Sequence, residues 1–489
     1  MVLMTGDQYI ESLRKRKIVV YLFGERVENP VDHPIIRPSI NSVAMTYDIA
    51  HDPKYEDLAT ATSHLTGEKV NRFLHIHQST QDLVKKVKLL RVLGQKTGVC
   101  FQRCVGMDAL NALSIVTYEM DQKLGTEYHK RFLEYLKYVQ SNDLMCCGAM
   151  TDPKGDRSLR PSQQADPDLY LRIVERRDDG IVVRGAKVHI TGAVNSHEII
   201  VMPTRTMREK DRDYAVSFAI PSDAEGVFFI YGRQSCDLRK LEGMEMDLGN
   251  PKYSGQEAMI IFDDVFVPWE RVFMAGEYEF AWPLVEYFSA YHRQSYGGCK
   301  TGIGDVLIGA ASTVAEYHGV AGSSHIRDKI VEMAHLNETL YACGIACSAE
   351  GYRTPSGTYM VDILLSNVCK LNVTRFPYEI SRLAEDIAGG LMVTMPSEKD
   401  FKHPEIGKYV EKYLKGVEGV PTEHRLRILR LIENICMGLG AVGYRTESMH
   451  GAGSPQAQKI MIERLLDIDF RRGLAKTLAG IGEEAKKPS

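Results

Sequence analysis

The chain has 489 residues, too many for one compact core, so about two or three packed regions are expected. Its 60 lysines and arginines against 64 aspartates and glutamates give a formal net charge of -4. That balance excludes the basic stripe of a nucleic-acid binder and the polybasic face of a membrane-surface protein, and leaves a small molecule as the default substrate. No apolar run approaches the roughly 20 residues that cross a bilayer, and the N-terminal segment turns charged early, so a soluble, cytoplasmic protein is expected. Ten cysteines are too sparse for a disulfide scaffold, and most are read as reduced thiols.

In chain order, residues 5–143 are mainly helical in pattern. Pro30, Pro34 and Pro38 punctuate a connector ahead of a helix ending near His51. Residues 83–90 carry apolar positions at helical spacing, which Gly94 and Gly98 interrupt. The pattern then predicts a helix from Val99 that holds Cys100 and Cys104 in its first turns, with Met107, Leu110, Leu113 and Val116 facing the core. Side chains at i and i+4 share a helix face with Cβ atoms roughly 5–6 Å apart, a gap that a metal or cluster bridges.

Near Met145 the period changes to strand-like alternation, which continues to about Phe273. Residues 169–177 and 181–190 flank Asp178-Asp179-Gly180, a hairpin signal, and residues 214–220, 227–231 and 258–267 read as further strands. An antiparallel barrel or sandwich is expected. Helical period returns near Tyr278, through residues 303–318, 326–349, 360–383 with a kink at Pro377, and 426–442; four such helices imply a bundle. The charged stretch 398–418 is expected as a surface loop. The resulting expectation is an α+β chain with a helical region at 1–144, a β region at 145–275 and a helical bundle at 276–489.

No dinucleotide fingerprint is present: Gly302-Ile303-Gly304 meets Leu307, and Gly451-Ala452-Gly453 meets Gln456, where a third glycine belongs. Gly297-Gly298 and the Gly451–Pro455 loop read as turns, or as places where backbone approaches a flat ring or a pyrophosphate. The stretch Tyr291-His292-Arg293-Gln294-Ser295-Tyr296-Gly297-Gly298-Cys299-Lys300 adds an imidazole and a third thiol to Cys100 and Cys104. Such soft donors suit a metal or an iron-sulfur cluster. Cys343-Gly344-Ile345-Ala346-Cys347 repeats the cysteine spacing in small apolar surroundings and reads as core. A rival metal reading uses Glu332-x-x-His335 and Glu447-x-x-His450, the pairs of di-iron carboxylate bundles, with Glu338 or Glu433 to complete the set. The loop Thr151-Asp152-Pro153-Lys154-Gly155-Asp156-Arg157 is dense in donors and turn formers, as ligand-contacting and plain solvated loops both are. Glu257, leading into an apolar strand, is either a strand-start charge or a general base whose pKa burial lifts.

The order helical, β, bundle resembles the acyl-CoA dehydrogenase fold, and His450-Gly451-Ala452-Gly453-Ser454-Pro455 resembles the 4-hydroxyphenylacetate 3-hydroxylase branch of flavoproteins. Within that branch, the joint presence of Cys100-x-x-x-Cys104 and His292-x6-Cys299-Lys300 resembles the 4-hydroxybutyryl-CoA dehydratases, over nearly the whole chain. The resemblance implies a homotetramer with FAD and a 4Fe-4S cluster in each subunit, the cluster ligated by Cys100, Cys104, His292 and Cys299. It implies flavin contacts at Ala149, Thr151, Asp152, Lys154, Asp156, Arg157, His189 and Thr191, and at Gly451, Ala452, Gly453 and Ser454, the last group reaching a neighbouring subunit's flavin. The implied reaction is reversible loss of water from 4-hydroxybutyryl-CoA to crotonyl-CoA by a flavin-dependent radical route, with vinylacetyl-CoA delta-isomerase activity. His292 is the implied base, Glu257 and Tyr296 assist, and Lys300 and Glu447 are further active-site groups. The alternative is a two-component FAD-dependent phenol monooxygenase, which needs no cluster ligands.

Overall fold

A computed structural model describes residues 3–481, and its organising element is a 37-residue helix, Ala281–Tyr317. Gly297, Gly298, Gly302 and Gly304 lie inside this helix rather than in turns. Each glycine in a helix interior is disfavoured by about 1 kcal/mol relative to alanine, and close packing supplies the compensation. A Cβ at Gly302 would lie 2.1 Å from the Arg91 carbonyl oxygen, one at Gly298 2.5 Å from that of Val87, and one at Gly297 2.6 Å from the Gly344 Cα. Helices Thr80–Thr97 and Ser324–Ala349 therefore cross the long helix at backbone contact. Gly94 is no helix breaker but the reciprocal residue, its Cβ position 2.8 Å from the Cys299 carbonyl oxygen. Gly302→Ala is expected to destabilise the protein by about 3 kcal/mol through overpacking, read as a lower midpoint in denaturant unfolding; an unchanged midpoint would contradict the crossing.

Around the long helix pack Ser324–Ala349, Phe376–Ala388 and Thr422–Cys436, together with Thr80–Thr97 from the N-terminal third. Ile303, Leu307, Ala311 and Val314 meet Met333, Ile380, Leu429 and Ile432 in one apolar core. The single kinked helix expected over 360–383 is two helices, Ile363–Val373 and Phe376–Ala388, with Pro377 in the first turn of the second, where no intrahelical N–H is missed. The charged stretch is not a plain loop: it forms Glu398–Phe401, started by a Ser397–Asp400 capping box, and Gly407–Tyr413. The helix expected to reach 442 stops at Cys436, and a π-helical turn, Val442–Thr446, leads into the short helix Glu447–His450.

The middle of the chain folds as two sheets. The larger runs in the order Glu25–Arg26, Val20–Leu22, Val227–Tyr231, Glu257–Pro268, Gly180–Thr191, Arg172–Arg176, and the smaller Val272–Ala275, Val216–Pro221, Glu198–Val201, Cys146–Ala149. Neither is purely antiparallel, because Val20 pairs in parallel with Phe229 and Cys146 in parallel with Glu198. Two strands of the N-terminal third thus complete the larger sheet. Phe218 and Phe262 meet edge to face at 6.1 Å across the two sheets. The hairpin at Asp178-Asp179-Gly180 closes with the Arg177 N–H donating to the Gly180 carbonyl at 2.8 Å. Among the described residues, no helix is long and apolar enough to cross a membrane.

Candidate functional site

The cysteine pair is not built as its spacing predicts. The helix begins at Cys104 (Cys104–Leu124), and Cys100 sits on a preceding turn in which Gln102 adopts φ 67°. The Gln102 amide holds that left-handed conformation: its Nε2 donates to the Ser39 carbonyl at 3.2 Å and the Ser254 carbonyl at 3.1 Å, and its Oε1 accepts from Asn195 at 2.9 Å. Cys100 is thereby turned toward two glycines. A Cβ on Gly443 would lie 3.0 Å from the Cys100 Cβ, and one on Gly255 would lie 3.5 Å from it. Next to Gly255, the buried Gln256 amide has no hydrogen-bond partner among the described residues.

His292, Tyr296 and Cys299 follow at helical spacing on the long helix and share its inner face. Ligand atoms of Cys104, Asp108 and His292 lie within 4.8 Å of one another, the one such convergence of three among the described residues. Burial pushes the Cys100 and Cys104 thiols well up, with Glu447 adding to the first and Cys299 to the second. Burial lifts Cys299 to about 11, with Lys300 pulling the other way. Thiols that raise one another's proton affinity are poor free thiolates but good ligands once a cation takes up their charge. The donor set, three buried sulfurs and an imidazole, fits an iron-sulfur cluster better than a hard cation.

The di-iron reading fails on placement. Glu332 and His335 are exposed and face each other at 3.3 Å, with no further ligand converging on them among the described residues. Cys347 is buried in the helix with its thiol donating to the Gly344 carbonyl at 3.3 Å, as a core residue.

A second group adjoins the thiols. Lys300 Nζ lies 2.6 Å from Glu447 Oε2 and also donates to the Gly443 carbonyl. Against the pull of burial, Glu447 holds that ammonium above its ordinary range. Glu257 accepts from the Thr191 hydroxyl at 2.6 Å and hydrogen-bonds Glu447. Burial, and then Glu447 beside it, push the Glu257 carboxyl well above the usual range. The Tyr296 ring stands edge-on to His292 at 4.9 Å, and a Cβ at Gly451 would fall 2.0 Å from its hydroxyl. Lys300 and Lys370 place their Nζ atoms 4.9 and 5.0 Å from the ring centroid.

Lys370 escaped the sequence reading. Its Nζ donates to the Ser448 carbonyl at 2.5 Å, and burial, then Lys300, pull its ammonium down to about 7. The available signal was a lysine amid the largely apolar run Ile363–Val373.

The proposed flavin segments divide. The Asp152 carboxylate is tied to Lys187 at 2.8 Å and to the Leu171 N–H at 3.0 Å, so it shapes its loop from within. Thr191 is engaged by Glu257. The carbonyl of Ala149 accepts from Met202 at 3.0 Å and that of Thr151 from Val188 at 2.8 Å, which ties the loop to the sheets. The exposed Asp156 accepts from the Ser158 N–H at 2.9 Å. Lys154 and His189 both have positive φ, 75° and 58°. Burial lowers both pKa values, helped at Lys154 by Arg157 and Arg205 and at His189 by Lys154 and His450. Lys154, Arg157, Arg205, His189 and His450 are thus neighbours where this loop meets the glycine turn. Arg205 is an addition to the sequence reading, in which His450 entered only as the partner of Glu447 and the start of the glycine loop. The Gly451–Ser454 turn, with Ala452 at φ 53° and Gly453 at φ 97°, is anchored by Arg293 Nε donating to the Ala452 carbonyl at 3.1 Å.

Residues 5–274 match the 4-hydroxyphenylacetate 3-hydroxylase N-terminal region, and residues 281–480 match its C-terminal region. The chain is 64% identical over 488 residues to the 4-hydroxybutyryl-CoA dehydratase/vinylacetyl-CoA-Delta-isomerase of Clostridium aminobutyricum, a match covering 98% of this chain and 100% of that one. Among solved structures, an oxygen-tolerant archaeal 4-hydroxybutyryl-CoA dehydratase from N. maritimus superposes with a TM-score of 0.97 at 61% identity, covering 100% of this chain and 97% of that one. The FAD-complexed oxygenase component of a 4-hydroxyphenylacetate 3-monooxygenase shares the fold at a TM-score of 0.86 and 24% identity, covering 97% of this chain and 98% of that one.

Proposed function

The chain belongs to the 4-hydroxyphenylacetate 3-hydroxylase family, and on that premise we propose that it catalyses reversible dehydration of 4-hydroxybutyryl-CoA to crotonyl-CoA, with vinylacetyl-CoA delta-isomerase activity. The observation that carries this reading over phenol hydroxylation is the gathering of three buried thiols and an imidazole beside the neighbouring carboxyl groups of Glu257 and Glu447. Hydroxylation of a phenol by a reduced flavin requires no such donors.

In this reading Cys100, Cys104, His292 and Cys299 hold a 4Fe-4S cluster, while Lys154, Arg157, His189 and the Gly451–Ser454 turn hold FAD. When bound, the two groups supply one-electron transfer and a Lewis acid for the substrate hydroxyl. The chain's own residues manage protons. The thioester acidifies the C2 hydrogen of the substrate but not the C3 hydrogen, so a base and an acid must both stand close to the chain of carbons. His292 turns Nδ1 to Asp108 at 2.8 Å, which leaves Nε2 as its second nitrogen. Nε2 is the proposed proton acceptor; it cannot hold a metal and a proton together, so the two roles exclude each other at any instant. Glu257, kept protonated by burial and by Glu447, and the Tyr296 hydroxyl are the proposed donors to the departing hydroxyl. Lys300 steadies Glu447 beside them.

A homotetramer with shared flavin sites is part of the proposal. Phe470, Leu474 and Leu478 are exposed on the helix Ile468–Leu478, shortly after the glycine turn, and such an apolar face supports coverage by another copy of the chain. The test is anaerobic purification followed by iron, acid-labile sulfide and flavin analysis, alongside a dehydration assay with 4-hydroxybutyryl-CoA. Iron, sulfide and flavin together with crotonyl-CoA formation are expected. An iron-free yellow protein that hydroxylates phenols would overturn the reading.

A further inference from the structure

We propose that Asp108, held by Lys86, is the positioning residue for His292: it keeps the imidazole hydrogen on Nδ1 and leaves the Nε2 lone pair to bind the cluster. The inference rests on the reading of His292 as a cluster ligand. Asp108 lies one turn beyond Cys104 on the helix Cys104–Leu124, so both side chains face the long helix at the level of His292. Its carboxylate is fully buried and accepts three hydrogen bonds: Lys86 Nζ at 2.5 Å on Oδ1, and His292 Nδ1 at 2.8 Å and the Ser295 hydroxyl at 3.0 Å on Oδ2. Lys86 is itself fully buried, donates to the Tyr291 carbonyl at 3.1 Å, and stands 5.4 Å from the centre of the Tyr291 ring.

The chemistry of the acceptor decides the tautomer. An ionised carboxylate can only accept, so the His292 nitrogen facing it must carry hydrogen, and the lone pair is left on Nε2. Phe288 stacks on the imidazole at 5.7 Å and Tyr296 meets it edge-on at 4.9 Å, which removes the remaining freedom of ring rotation. Asp108 is close enough to Cys104 and His292 to be counted as a ligand itself. Both its oxygens, however, already carry donors, and a cation there would sit beside the Lys86 ammonium. A carboxylate behind a ligating histidine raises the basicity of the imidazole and fixes its direction, and its removal typically weakens metal binding or activity about 10–100-fold. Lys86 neutralises Asp108 without withdrawing the oxygen that faces His292, because it binds the other one.

The test compares the parent holoenzyme with D108N, and with K86M/D108N, which removes both buried charges together and covers the case in which D108N alone does not fold. Three readouts are taken on anaerobically purified protein: iron release to a chelator, the nitrogen hyperfine coupling of the reduced cluster by pulsed EPR, and its midpoint potential. The parent is expected to show coupling from a directly bound nitrogen. The variants are expected to release iron about 10–100-fold faster, with an altered nitrogen coupling and a more positive potential, because a less basic imidazole donates less charge. Unchanged coupling, potential and iron release in a folded variant would overturn the inference, as would a parent whose cluster has no nitrogen ligand; in both cases the dehydratase reading stands. A parent without iron overturns both.

Discussion

Glu257→Gln is expected to lower kcat by about 10²–10⁴-fold and at the same time to raise the stability of the protein at neutral pH. The carboxyl is held well above its usual range by burial and by Glu447, whereas in the unfolded chain a glutamate titrates near about 4.3. Because the folded value is the higher one, the stabilising contribution of the bound proton is complete below about pH 4.3 and declines as pH rises through the folded pKa. Glutamine stays neutral throughout, can still accept from the Thr191 hydroxyl, and can donate an N–H to Glu447. The difference in melting temperature between variant and parent should therefore be small near pH 4 and grow toward pH 8. A variant that melts lower than the parent at pH 8, or that keeps full dehydration activity, would show that Glu257 does not act as a buried proton donor.

Cys299→Ala is expected to abolish the cluster: iron and acid-labile sulfide fall to trace levels, and activity drops by more than about 100-fold, beyond what loss of an outer partner produces. Folding should survive, because removing one buried sulfur leaves a small void worth about 1 kcal/mol. Cys347→Ala is the matched control. It removes an equally buried thiol from the Cys-x-x-x-Cys decoy and should incur a similar loss of stability while keeping iron and activity. Iron retained in the first variant, or lost equally in both, would refute the ligand assignment.

Both expectations depend on contacts between residues far apart in the chain, and the limits of sequence reading lie there. The identities of the candidate ligands were legible because soft donors are rare enough to stand out from the apolar pattern around them. Their geometry was not. Cys100 and Cys104 read as one helical face, yet the Gln102 amide, bonding to Ser39, Ser254 and Asn195, breaks the helix between them. The sequence also presented Gly297 and Gly298 as turn formers, because intrinsic propensity is all a local window contains; their use, with that of Gly302, as contact points for Val87, Arg91 and Gly344 is visible only once three helices meet.

Legible without any partner were the α+β class, the hairpin at Asp178-Asp179-Gly180, a strand over 258–267 and a helix over 326–349, each found within two residues of those bounds, and the thiol and imidazole inventory. Period, turn chemistry and residue type act over a few neighbouring residues and need no partner to be read. Only the tertiary structure decided that Glu257 meets Glu447 and Lys300, that Lys370 stands beside Tyr296, and that Lys86 and Asp108 stand behind His292. Each of those groups is a buried charge or proton whose behaviour is set by what lies within a few ångströms in space, and burial and charge pairing are properties of the packed chain rather than of any stretch of it.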